Sequence, residues 1–325
     1  MSTTQTGSPP PGPTVGTTGT TTATTTGTTG PLRADGLHVV KAHGTGNDFV
    51  VVVDPDDTYP LMPAVVAALC DRRRGLGADG VIRAVRADVD GTDGWFMDHV
   101  NSDGSSALMC GNGVRVMAHC LVDAGLVEAG TATLPVMSRS GPRPVRLVAG
   151  GYPIYSVDMG PVGVDPVPVA VVVRSPEAER RLPGLRVDVG NPHVVVDVGP
   201  GDAVDRVLLL ERPLIDPEPV DGANVEVMGR LGTGQAPGTG YLQMRVHERG
   251  VGETLSCGTG AVAAAAAASL RASVTQWTVD VPGGRLRVRL RRREDEGIIG
   301  SELTGPAEVV ARGVVDHAWL DRVAL

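Results

Sequence analysis

The sequence predicts a mixed α/β (α+β) fold built from two similar halves. Strand-like segments outnumber helical ones, and the principal helices follow glycine-rich turns. One short pattern also occurs twice. Cys110-Gly111-Asn112-Gly113 and Cys257-Gly258-Thr259-Gly260 share the form Cys-Gly-[Asn/Thr]-Gly, and each opens a helix 147 residues from the other. With 325 residues, of which 42% are hydrophobic, the chain is long enough for two domains with a sizeable core.

Residues 1–32 carry no charged side chain and fourteen threonines among Gly and Pro. Such a stretch lacks the apolar area that offsets ordering entropy, so a disordered leader over residues 1–35 is expected. It has neither the basic start nor the apolar run of a secretory signal. The pattern then reads strand (Leu37 to Ala42), tight turn (Gly44-Thr-Gly-Asn-Asp48) and strand (Phe49 to Asp54). Pro63 suits a first helical position and starts a helix to about Arg73. Val81 to Ala87 and Trp95 to His99 read as strands. Val114, Met117, Ala118, Leu121 and Val122 recur at helical spacing and stop before Gly125. Arg143 to Val148, Ile154 to Asp158, His193 to Val198 and Tyr241 to His247 are strand-like. The alanine-rich helix Ala261 to Arg271 and a hairpin, Trp277 to Val281 with Arg285 to Leu290, follow.

Several function classes are excluded or weakened. Lys41 is the only lysine, so a Schiff-base cofactor enzyme rests on a single candidate. A net charge of −8 argues against nucleic-acid binding, and the one basic run, Arg285 to Arg293, alternates as a strand with one solvated face. No apolar stretch approaches the roughly 20 residues that cross a bilayer, so no membrane partner and a cytoplasmic location are expected. Gly75-Leu-Gly77-Ala-Asp-Gly80 matches G-x-G-x-x-G, but a helix precedes it and a strand follows, the reverse of the dinucleotide-binding context. It reads as a helix C-terminal turn. The histidines and cysteines lack metal-ligand spacing, so no metal is expected.

Cys70 and Cys120 fall on apolar helix faces, where cysteine is a small hydrophobe. Cys110 and Cys257 instead sit where glycine-rich turns enter helices. Free N–H groups and the positive helix end there bind anions and lower a thiol pKa, so each is a candidate thiolate. Two opposed thiols, one charged and one protonated, can take a proton from one face of a carbon and return one to the other, which inverts a stereocentre without a cofactor. The carbanion's charge develops on the carboxylate, and converging helix N-termini suit it. Asn101, Asn191, Asn224, Glu248 and Arg249 lie near these motifs, and Arg249 offers a bidentate fork for a carboxylate. A dithiol redox sensor using the same cysteines is the alternative of a different class.

Lys41-Ala-His-Gly-Thr-Gly-Asn-Asp-Phe49, Asn101-Ser-Asp-Gly-Ser105, Cys110-Gly-Asn-Gly-Val-Arg115, Gly190-Asn-Pro-His193, Glu248-Arg-Gly250 and Cys257-Gly-Thr-Gly260 occur in one order. In these motifs, over residues 37–315, the chain resembles the diaminopimelate epimerase family of cofactor-independent two-cysteine enzymes. The resemblance implies two barrel-like domains, each wrapping strands around a central helix, with the active site in the cleft between them. Domain bounds of 36–152 and 153–304 follow, with a last strand, about 305–325, returning to the first domain. It implies that Cys110 and Cys257 are the acid/base thiols and that His193 and Glu248 modulate them. Asn47, Asn101, Gly111, Asn112, Asn191, Asn224, Glu248, Arg249, Gly258 and Thr259 are then the substrate contacts. The implied substrate is diaminopimelate, its LL and meso forms interconverted with no cofactor; another amino acid remains the alternative on the same fold. A homodimer is a further expectation, although the tyrosine that many members use for it corresponds to a site near Ala311. Some members carry a substrate-reaching glutamine where this chain has Gly80.

Overall fold

The computed structural model describes residues 30–128, 130–148, 153–233, 238–272 and 274–324. Residues 1–29 of the expected leader lie outside the described residues. Its last part includes Leu32–Arg33 (β1), which pairs with Gly36–Gly44 (β2). Asn47–Val53 (β3), the helix Pro63–Cys70 (α1), Gly80–Val89 (β4), Thr92–Asn101 (β5), the helix Gly111–Asp123 (α2), Val136–Ser138 (β6) and Gly141–Pro142 (β7) follow. All these strands belong to one sheet.

A second sheet takes Val145–Val148 (β8), Ile154–Val164 (β9), Val169–Arg174 (β10), Glu179–Asp188 (β11) and Pro192–Pro200 (β12). After the one-turn helix Asp202–Asp205 (α3) come Leu214–Asp216 (β13), Asn224–Thr233 (β14), Thr239–Glu248 (β15) and Gly252–Thr254 (β16). The helix Gly258–Ser269 (α4) then leads to Gln276–Val281 (β17), Gly284–Arg293 (β18) and Gly297–Pro306 (β19). Glu308–Val315 (β20) returns to the first sheet antiparallel to β2, before the helix His317–Val323 (α5).

β9 pairs with β19 on one side and with β11 on the other, which closes β11, β12, β14, β15, β17, β18, β19 and β9 into a barrel. Every residue of α4 is buried inside it. A helix enclosed on all sides must be apolar all round, and the run Ala263 to Ala268 keeps its radius small enough for strands to close around it. The two halves repeat one connectivity. β3 and β4 run parallel, β4 and β5 antiparallel, and α2 links β5 to its parallel neighbour β6. In the same way β12 and β14 are parallel, β14 and β15 antiparallel, and α4 links β15 to its parallel neighbour β17.

α1 stops at Cys70, three residues before the expected end, because Asp71 accepts hydrogen bonds from the N–H groups of Arg73 and Arg74 (both 2.8 Å) and turns the chain away. The Gly75–Gly80 segment is the expected turn into a strand. In β18 Leu286, Val288 and Leu290 are buried while the arginines between them are exposed, as the alternation requires. The strands β6, β7, β10, β11, β13, β14, β16 and β19 and the helices α3 and α5 were not read from the sequence, whereas β20 falls within the last strand, about 305–325, that the resemblance implied.

Candidate active site

Both motif cysteines are helix N-caps in extended conformation. Gly113 N–H donates to Cys110 Sγ and Gly260 N–H to Cys257 Sγ, each at 3.4 Å. The two helix starts meet head to head: a Cβ on Gly258 would stand 2.9 Å from Leu303 Cδ2 and 3.3 Å from both Gly111 Cα and Asn112 Oδ1, so glycine keeps this approach free of crowding. A cavity of about 130 Å³ opens at the junction. It is lined by both cysteines together with Asn47, Asn101, Gly111, Asn112, Asn191, Glu248, Gly258 and Thr259.

A hydrogen-bond chain fixes the amides on the Cys110 side. Asp79 Oδ2 accepts from Asn47 Nδ2 (2.7 Å), which turns Asn47 Oδ1 to accept from Cys110 S–H (3.6 Å) and from Asn112 Nδ2 (3.2 Å). Asn112 Oδ1 in turn accepts from Arg115 Nη2 (2.9 Å). Arg115 is fully buried, and burial lowers its guanidinium to about 10. On the other side Cys257 Sγ lies 3.4 Å from Thr259 Oγ1, and Asn191 Nδ2 donates to the same hydroxyl (3.4 Å). His193 stands behind Asn191, 2.9 Å from its amide.

Besides His193, two of the expected substrate contacts lie outside this lining. Asn224, at the start of β14, accepts from Arg249 N–H (2.9 Å), and the exposed Arg249 guanidinium donates to Asp221 O (2.7 Å). Gly80 has no room for a side chain: a Cβ would come within 2.7 Å of Val100 O.

Burial reverses the expected effect on the thiols. It pushes Cys110 up to about 11, against the opposing pull of the Gly113 and Asn112 N–H groups, with Glu248 adding to the rise. Burial, Glu248 and Glu226 push Cys257 well above the ordinary thiol range. The helix ends act as anticipated, but desolvation is the larger effect. Burial also holds Glu248 above the usual carboxylate range, although Thr254 and Cys257 hydrogen-bond to it.

Several residues went unread in the sequence. Asp79 lies inside the Gly75–Gly80 turn, and the Asn47 that it holds is distant along the chain. Ser256, just before Cys257, bridges the halves: its hydroxyl meets Thr45 Oγ1 (2.7 Å) and its carbonyl accepts from Asn112 Nδ2 (3.2 Å). Its place next to a motif cysteine was the available signal. His99 also lines the cavity, and burial lowers it to about 4, so it is neutral at ordinary pH.

The diaminopimelate epimerase family model matches the chain twice, over residues 39–164 and 185–310, one match for each half. A diaminopimelate epimerase of Thermobifida fusca is 45% identical over 291 residues, covering 86% of this chain and 98% of that protein. One from Streptomyces coelicolor is 43% identical over 302 residues, covering 87% and 97%. Among solved structures, a Bacillus anthracis phenazine biosynthesis protein of the PhzF family superposes with a TM-score of 0.65 at 14% identity, covering 86% of this chain and 98% of its own. A hydroxyproline epimerase from Agrobacterium vitis superposes at 0.60 and 15%, covering 87% and 93%. These two share the fold. Two half-length matches and near-complete coverage of close relatives mean that the chain belongs to the diaminopimelate epimerase family.

Proposed function

We propose that the protein interconverts LL- and meso-diaminopimelate by proton transfer between Cys110 and Cys257. The observation that carries this is the pair of equivalent helix N-cap thiols facing one cavity. The substrate α-carbon sits between them. One thiolate removes the α-proton from one face, forming an S–H bond as the C–H bond breaks, and the opposite thiol gives its proton to the other face. The pair ends with its protonation exchanged and nothing is oxidised or reduced. The free N–H groups of the two helix starts hold the substrate α-carboxylate, where the carbanion's charge develops, in a site that excludes water. Asn47, Asn101, Asn112, Asn191 and Thr259 supply further polar contacts from the lining, and Asn224 and Arg249 serve at the rim.

Both thiols are held protonated in the free site, so the reaction begins with the loss of one proton. Glu248 lies within hydrogen-bond reach of Cys257 and relays that proton to solvent. Activity measured as kcat/KM, which reports the free enzyme, therefore rises with pH from 7 toward the alkaline side. The reaction takes place between two domains, residues 36–152 with 305–325 and residues 153–304. Free thiols are a condition of this chemistry, and the cytoplasm keeps them reduced.

Incubation with LL-diaminopimelate in deuterated water tests the reading. Deuterium should enter at one α-carbon, and Cys110→Ala or Cys257→Ala should abolish turnover. Absence of isotope exchange with every diaminopimelate isomer would remove it.

A further inference from the structure

The two halves place different chemistry behind their thiols. In the first, Phe49 on β3 lies beside Gly80 on the parallel β4, and Ile82 follows two residues on. In the second, His193 on β12 lies beside Asn224 on the parallel β14, and Glu226 follows two residues on. Ile82 and Glu226 stand beneath equivalent helix starts. A Cβ on Gly113 would meet Ile82 Cδ1 at 2.9 Å, and one on Gly260 would meet Glu226 Oε1 at 2.7 Å. The apolar pair Phe49 and Ile82 fills the equivalent point of the first half without a polar group.

The second half instead buries two polar groups. His193 Nδ1 donates to Glu226 Oε1 (2.7 Å), and both side chains are fully buried. Glu226 Oε2 has no hydrogen-bond partner among the described residues. A buried, half-satisfied carboxylate costs stability, and an apolar pair of similar volume avoids that cost. The polar pair does, however, reach the site: from Glu226 contacts run through His193, Asn191 and Thr259 to Cys257 Sγ. Cys110 is served by a separate and shorter chain, from Asp79 through Asn47, that includes neither Glu226 nor His193.

We propose that Glu226 is a positioning residue for Cys257 alone: it holds the His193 ring, and through it Asn191 and Thr259, in the orientation that serves the second thiol. This rests on the assignment of Cys257 as an acid/base group. Among the described residues, the charged and titratable groups facing Cys257 are Glu226 from β14, Glu248 from β15, His193 from β12 and, across the cavity, Cys110 from the start of α2, Asp79 from the turn before β4 and His99 from β5.

The test uses the full chain in two variants. Glu226→Gln removes the charge; His193→Phe with Glu226→Ile transplants the first half's pair and keeps the site packed if the single change fails to fold. Iodoacetamide alkylation of Cys110 and Cys257 is followed against pH by peptide mass spectrometry, alongside kcat and KM on both diaminopimelate isomers. The expected result is a shifted Cys257 profile with an unchanged Cys110 profile, and a kcat lower by about ten- to a hundredfold with KM little altered. Profiles that both stay at their wild-type positions, or that move together, in a folded variant would overturn the proposal. Alkylation needs no turnover, so a protein without epimerase activity would defeat the proposed function and still leave this comparison readable.

Discussion

Asn47 owes its orientation to a carboxylate thirty-two residues away. Asp79 Oδ2 holds its amide nitrogen, and Arg72 bridges Asp79 Oδ1 and Asp48 Oδ1 (both 2.8 Å). Lys41, the only lysine, donates to Asp48 and to Gly77 O, tying the Gly75–Gly80 turn to the Asn47 turn. Burial raises the Asp48 carboxyl, but Arg72 and Lys41 outweigh it and bring the group down to about 2. Removing Asp79 frees the Asn47 amide to turn its nitrogen toward Cys110. Asp79→Ala is therefore expected to lower kcat/KM about ten- to a hundredfold while circular dichroism stays that of the parent. An unchanged kcat/KM would show that Asn47 needs no such support. Asn47 was legible because it sits in a compact motif, whereas Asp79 acts through space and looks like a turn residue. Glu226 was hidden more deeply. In Val225-Glu226-Val227 all three residues are buried, so strand alternation does not mark it out.

At the scale of elements, α4 is limited by the strands around it. Ala264 is fully buried at the middle of the helix, and the barrel has no open side onto which a longer side chain can move. Ala264→Leu should destabilise the protein by about 1–3 kcal/mol through overpacking, read as a lower urea midpoint with an unchanged slope. An exposed site gives the contrast: Arg289→Gln on the outer face of β18 should change stability by less than about 0.5 kcal/mol. The helices α2 and α4 were legible because each begins at a Cys-Gly-x-Gly cap, and α1 because proline suits its first position. Strands such as β11 were not, because Glu179-Arg-Arg-Leu-Pro-Gly carries charge, proline and glycine, and only pairing with β10 and β12 makes it a strand.

For the molecule as a whole, the buried cysteines contribute to its response to alkali. Burial pushes Cys70 and Cys120 up to about 12 and Cys110 to about 11, against an ordinary value of 9.0. Between those values the unfolded chain has lost thiol protons that the folded chain retains, so the unfolded state binds fewer protons and stability falls as pH rises. The thermal midpoint should hold up to about pH 9 and decline from there toward 12, less steeply in Cys70→Ala with Cys120→Ala; equal slopes would show that other groups govern it. Local features of the sequence determined the two caps, the repeated half, the identities of the thiols and most polar groups around them, because capping, turn chemistry and motif order act over a few residues. Tertiary structure alone decided what those groups experience. Desolvation where the two helix starts meet raised rather than lowered the thiol pKa values, the head-to-head approach of Gly111 and Gly258 formed the cavity, and strand pairing that no local pattern records set Glu226 behind it and brought Asp79 to its lining.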